Sequence, residues 1–122
     1  MDKFAITEDY VSFETAKLLK EKGFVKFTYA GFTHDGVGLC GYVGANSDIM
    51  RPTLQMAMKW LREDKGIAVV PILSSVLDNE KFLWDIEITV AKTNESYLQG
   101  WIYEHYEKAC EAAIKYCLEN LV

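Results

Sequence analysis

The stretch Arg51-Pro-Thr-Leu-Gln-Met-Ala-Met-Lys-Trp-Leu-Arg-Glu-Asp-Lys-Gly66, followed at once by Ile67-Ala-Val-Val-Pro-Ile-Leu73, constrains the fold more than any other part of the chain. Leu54, Ala57, Met58 and Leu61 recur at i, i+3, i+4 and i+7, one apolar stripe of a helix, which Met56 and Trp60 widen. Gln55, Lys59, Arg62 and Glu63 fall on the other face. Pro52 suits the first helical position, where its missing N–H goes unused, and Gly66 suits the left-handed residue just past the end. The run from Ile67 is apolar on successive rather than alternate residues, which predicts an inner strand with protein on both faces. Helix and strand together are expected to form the centre of the core.

The flanks supply the remaining layers. Ser12 is expected to cap a helix that runs to about Lys22, accepting from the amide of Glu14 or Thr15; Gly23 stops it, and Ala16, Leu18 and Leu19 are its inward side. Phe24 to Phe32, aromatic and partly β-branched, predicts a strand. The glycine density between Gly31 and Asn46 predicts a hairpin with its return at Leu39 to Val43, then a polar connection from Gly44 to Met50. Ser74 to Lys81 has no periodicity and predicts a turn or loop. Phe82 to Val90 sets Trp84, Ile86, Ile88 and Val90 against Asp85, Glu87 and Thr89, a strand with one wet face. After a turn at Lys92 to Glu95, Tyr97 to Tyr103 predicts a short antiparallel strand. The closing helix, about Glu104 to Leu121, carries Cys110, Ala113, Ile114, Cys117, Leu118 and Leu121 at helical spacing.

A chain of 122 residues is one domain's worth, so residues 1–122 are read as a single unit. Helices mixed with hairpin-linked strands predict an α+β two-layer sandwich: a mainly antiparallel or mixed sheet of about four to five strands packed by three helices.

Charge and composition narrow the function classes. Thirteen basic residues are scattered among 18 acidic ones for a net charge of -5, which disfavours nonspecific nucleic-acid binding. A weaker nucleic-acid reading rests on Lys17, Lys20, Lys22, Lys59 and Arg62. No run reaches the length of a membrane helix, and the acidic opening Met1-Asp-Lys-Phe-Ala-Ile-Thr-Glu-Asp is unlike a signal peptide; no membrane association and a cytoplasmic location are expected. Cys40, Cys110 and Cys117 are an odd set without framework spacing, which predicts reduced thiols and no disulfide.

Three helical blocks and one strand carry a resemblance. Val11-Ser-Phe-Glu-Thr-Ala-Lys-Leu-Leu-Lys-Glu-Lys-Gly-Phe24, Arg51-Pro-Thr-Leu-Gln-Met-Ala-Met-Lys-Trp-Leu-Arg-Glu63, the strand at Ile67, and Tyr106-Glu-Lys-Ala-Cys-Glu-Ala-Ala-Ile-Lys-Tyr-Cys-Leu-Glu-Asn-Leu121 together cover about half the chain. This resembles a family of small phage- and prophage-encoded proteins of gut bacteria with no assigned function. The resemblance implies a viral origin and a bacterial cytoplasm and brings no catalytic residues; Thr33 to Ser47 and Ser74 to Glu95 match nothing in it.

Each chemical motif has a plainer reading beside it. Gly36-Val-Gly-Leu-Cys-Gly41 has the G-x-G-x-x-G form, but that fingerprint needs its third glycine to open a helix, and Tyr42-Val-Gly-Ala-Asn follows; a hairpin loop is expected. His34, Asp35 and His105, with Cys40, would make a metal or Cys-His site only if folding joined them; solvated polar residues near turns are the simpler expectation. Cys110 and Cys117 share a helix face with Ala113 and Leu118, as packing thiols do. Asp85 and Glu87 share a strand face, either as a carboxylate pair or as an ordinary wet side. Trp101, Tyr103 and Tyr97, near an expected sheet edge, are the candidate partner-interface residues.

No catalytic, cofactor or metal residues are assigned. The expectation is a non-enzymatic phage or prophage accessory protein acting through an unidentified protein partner or as a homo-oligomer. The alternative is a small-ligand-binding domain or small enzyme using the Gly31–Asn46 loop with His34, Asp35 and His105.

Overall fold

A computed structural model describes residues 9–24, 30–32, 38–40 and 49–122. Its elements are α1 (Phe13–Glu21), β1 (Ala30–Phe32), β2 (Gly38–Cys40), β3 (Ile49–Arg51), α2 (Leu54–Asp64), β4 (Ile67–Leu77), β5 (Lys81–Val90), β6 (Glu95–Leu98) and α3 (Tyr106–Asn120).

Helix α2 forms where its stripe predicts, but its start is set by Thr53 rather than Pro52. The Thr53 hydroxyl accepts from the Met56 amide at 3.1 Å, the N-cap bond of a helix that begins at Leu54. Pro52 stays outside as extended chain, where its carbonyl accepts from Val11 N at 3.0 Å and the Leu54 amide donates to Asp9 O at 2.9 Å. A capping hydroxyl at residue 53 and a carbonyl already engaged at residue 52 together outweigh proline's fitness for the first turn. Gly66 takes the expected left-handed backbone, φ +66°. Leu54, Ala57, Met58, Trp60 and Leu61 are buried, whereas Met56 lies off the covered side.

The other helices follow their spacing. Ser12 caps α1 through Thr15 N, and Gly23 past its end has φ +102°. In α3 the stripe Ala109, Cys110, Ala113, Ile114, Cys117 and Leu118 is wholly buried.

Among the described residues every strand pairing is antiparallel. One three-stranded sheet has the order β2-β1-β3, and its β1–β2 hairpin is the expected return near Leu39. β3 lies in what reads as a polar connection, and the burial of Ile49 at its start accounts for it. The second sheet has the order β4-β5-β6 and carries the core. α2 packs on β4, α3 spans β4 and β5, and α1 leans on α3 and β3. The result is the expected α+β arrangement of three helices against antiparallel strands. Ile67, Val69, Ile86 and Ile88 form the covered sheet face; Ile86 and Ile88 are fully buried, worth about 1.5–3 kcal/mol each.

β4 departs from expectation in two ways. It is an edge strand of this sheet, not an inner one: Val70 is 46 % exposed, and among the described residues only β5 pairs with it. Successive apolar residues here mean a covered inner face and an uncovered apolar outer face. β4 also continues through Ser74 and Ser75 to Leu77, so the expected loop shrinks to a tight turn with Asp78 and Asn79 both at left-handed φ, 52° and 57°. A bulge between Leu73 and Ser75 breaks the periodicity there.

Candidate functional site

An open groove of about 480 Å3 lies where the chain entering α1 meets α3; its lining includes Tyr10, Thr15, Arg51, Tyr103, Lys108 and Glu111. Its floor is organised by Glu111. Oε1 accepts from Ser12 N at 2.8 Å and from the fully buried Thr15 hydroxyl at 2.9 Å, so a carboxylate from α3 sits at the positive end of α1. Its Oε2 is buried without a hydrogen-bond partner. Two of the cations around it are engaged within the chain. Arg51 donates to Val11 O at 3.4 Å and lies 4.9 Å over the Tyr10 ring, while Lys115 pairs with Glu14 at 3.2 Å, which raises its pKa. The Thr15 hydroxyl does donate to the Glu111 carboxylate, but it is fully buried and so is not open to a substrate.

The two thiols of α3 are free and buried in the core. Burial pushes the Cys110 pKa up to about 11 and that of Cys117 to about 12, so both stay protonated and unreactive at neutral pH. Among the described residues no group of three or more His, Cys, Asp or Glu side chains converges to hold a metal.

Asp85 and Glu87 do not act as a pair. Asp85 is 6 % exposed, and its carboxylate accepts from the backbone N–H groups of Ile86 (2.7 Å), Trp101 (3.0 Å) and Gly100 (3.2 Å). It fills a break in the pairing: Leu98 faces Glu87, yet Tyr103, rather than the residue two earlier, faces Trp84. Gly100, at φ +75°, allows the chain to swing round the carboxylate. The expected strand Tyr97 to Tyr103 is thus interrupted.

The candidate interface residues separate. Tyr97 is 41 % exposed and donates to Glu95 Oε2 at 3.0 Å, a bond that raises its pKa. Trp101 and Tyr103 are half-buried and meet edge to face at 6.3 Å, with Trp101 also against Tyr116 at 5.7 Å. His105 is exposed at the N-cap of α3 and makes no capping bond. His34 and Asp35 lie outside the described residues, as does much of the Gly31–Asn46 loop. Gly38, Leu39 and Cys40 form β2, so the middle of the G-x-G-x-x-G stretch is strand. Of the basic residues considered for nucleic acid, Lys17 covers the Phe13 ring and Lys22 donates to the Val122 backbone oxygen.

A further feature of the described residues is apolar. Beyond the reach of the helices, Leu73, Val76 and Phe82 are each about half exposed on the inner face of the β4–β5 hairpin. On the outer face stand Val70 and Leu77, and beside them Leu98 (59 % exposed) and Ile102 (67 % exposed). Sequence reasoning missed this surface because it placed β4 inside the sheet. Pro71 was the available signal, since proline in a sheet marks an edge strand.

Comparison of the chain with protein-family models, with curated proteins and with solved structures finds no match. No helix among the described residues is long and apolar enough to cross a membrane.

Proposed function

We propose that this chain is a non-enzymatic accessory protein that works by binding another protein or a second copy of itself, through the β4–β5 hairpin and the neighbouring β6 surface. One observation carries the reading. An apolar surface on two sides of one hairpin is a costly thing for a small acidic protein to leave in water, and contiguous exposed apolar patches mark interaction sites. Phage or prophage origin, within a bacterial cytoplasm, rests on the resemblance of the three helical blocks. Asp85, Ser12 and Thr15 support the reading too, because they are engaged in turn formation and capping.

The test compares the wild type with Leu77→Ser/Phe82→Ser/Leu98→Ser, whose three sites are all exposed, so circular dichroism should match. The wild type is expected to associate, with itself in light scattering or with a discrete protein captured from bacterial lysate, and the triple variant is not. A wild type that stays monomeric and captures nothing retires the reading.

A further inference from the structure

The outer face of the β4-β5-β6 sheet has a pattern of its own. Because Val70 pairs with Glu87 and Leu98 pairs with Glu87 on the other side, these three side chains form one row across the strands. Leu77 pairs with Lys81, which forms a second row toward the hairpin turn. Glu87 and Lys81 are six residues apart on β5 and therefore share a face, whereas Val70 and Leu77 are seven apart on β4 and would not. The bulge between Leu73 and Ser75 supplies the odd residue that brings Leu77 round to the same face. Between the rows lie half-buried Ile72 and Leu83, and Asp85, whose carboxylate is taken up by backbone amides.

Among the described residues neither Lys81 nor Glu87 makes a hydrogen bond or ion pair through its side chain. They are two opposite charges six residues apart on a face that also carries Ile72, Leu83 and Ser75 and, beyond Glu87, the hydrogen-bonded Thr89 and Ser96. A two-fold axis lying across β5 at Trp84 exchanges the ends: it sets Lys81 against Glu87 of a second copy, twice, and Val70 against Leu77, twice. An isologous interface requires this kind of self-matching.

We propose that the protein forms a two-fold dimer by stacking the outer faces of this sheet, with β5 antiparallel to β5 of the second copy and Lys81 paired with its Glu87. This rests on the protein-binding reading above and names the partner. Stacked sheets lie about 10 Å apart, a gap that a Lys and a Glu side chain span together. Between Lys81 and Glu87 the face is two strands wide, with β6 alongside only from Glu87 onward. It therefore offers at most roughly 600 Å2 per copy, the low end of specific interfaces, and the dimer is a weak and reversible one.

Sedimentation equilibrium over concentrations up to about 200 μM, suited to an interface of that size, tests it. The wild type should reach dimer. Lys81→Glu and Glu87→Lys each place like charges together at two points and should weaken the dimer by about a hundredfold. The double variant Lys81→Glu/Glu87→Lys should return to within about tenfold of the wild type, because the pairs are restored in reverse. Both substituted positions are on the sheet surface, and matching melting curves of the three variants confirm that folding is unaffected. A monomeric wild type overturns the proposal, as does a dimer that neither single reversal weakens or that the double reversal fails to restore. A monomer that still captures a host protein through Leu77, Phe82 and Leu98 would sink the dimer while leaving the protein-binding reading intact.

Discussion

The Asp85 carboxylate accepts the backbone N–H of Trp101 at 3.0 Å across sixteen residues of chain. That bond, with those to Gly100 and Ile86, fixes where the strand after β6 leaves the ladder and where it rejoins at Tyr103. Asp85→Ala should destabilise the fold by about 2–4 kcal/mol, because buried amides are left without acceptors. Asp85→Asn, which keeps one acceptor oxygen, should lose about half as much. Urea unfolding of both variants measures the difference, and an Asp85→Asn variant as stable as the wild type would mean the side chain acts only through its volume.

Glu111 ties α3 to the start of α1 through Ser12 and Thr15. Glu111→Ala should cost about 1–3 kcal/mol by stranding the Thr15 hydroxyl and the Ser12 amide. The loss should appear as faster amide exchange in the first turn of α1 before any change in β4 or β5, which hydrogen-exchange mass spectrometry resolves.

Thr53→Ala removes the cap of α2 and should lower stability by about 1 kcal/mol. Thr53→Ser keeps the hydroxyl and should recover most of it. A chemical melt suffices, and a Thr53→Ala variant as stable as the wild type would restore Pro52 as the determinant of the helix start.

The thiols of α3 predict the alkaline behaviour. Both pKa values are raised by burial, to about 11 for Cys110 and about 12 for Cys117. The folded state therefore keeps protons that the unfolded chain has lost. Stability from this source is complete below pH 9 and falls between pH 9 and about 11, by about 1.4 kcal/mol per pH unit for each thiol. Melts from pH 8 to 10.5 should show that slope reduced in Cys110→Ala/Cys117→Ala, and a thiol reagent should label Cys110 and Cys117 of the native protein only at the rate of unfolding.

Much of the fold was legible because its helices obey one period without interruption. Cys110, Ala113, Ile114, Cys117 and Leu118 read as a buried stripe and are one. β5 alternates cleanly, and Ile86 and Ile88 point where the alternation sends them. β4 was misread because a run of apolar residues shows that both faces are greasy and says nothing about whether both are covered. Its far half was lost because a bulge and two serines erase the two-residue period just where the strand leaves the core. Asp85 was hidden for another reason: on a strand it looks like any solvent-facing acid, and its role depends on Gly100 and Trp101, fifteen and sixteen residues away.

Pro71 decides what kind of assembly this surface can make. Trp84 and Tyr103 exchange both backbone bonds and Ile86 O accepts from Gln99, so this phase of β5 points toward β6. Pro71, opposite Ile86, therefore turns its ring nitrogen to the outer edge of β4. A foreign strand arriving there finds a missing rung at mid-length, which is how natural sheets resist runaway polymerisation. A strand added at this edge would lose one backbone hydrogen bond there, which disfavours open-ended growth relative to a closed pair of copies.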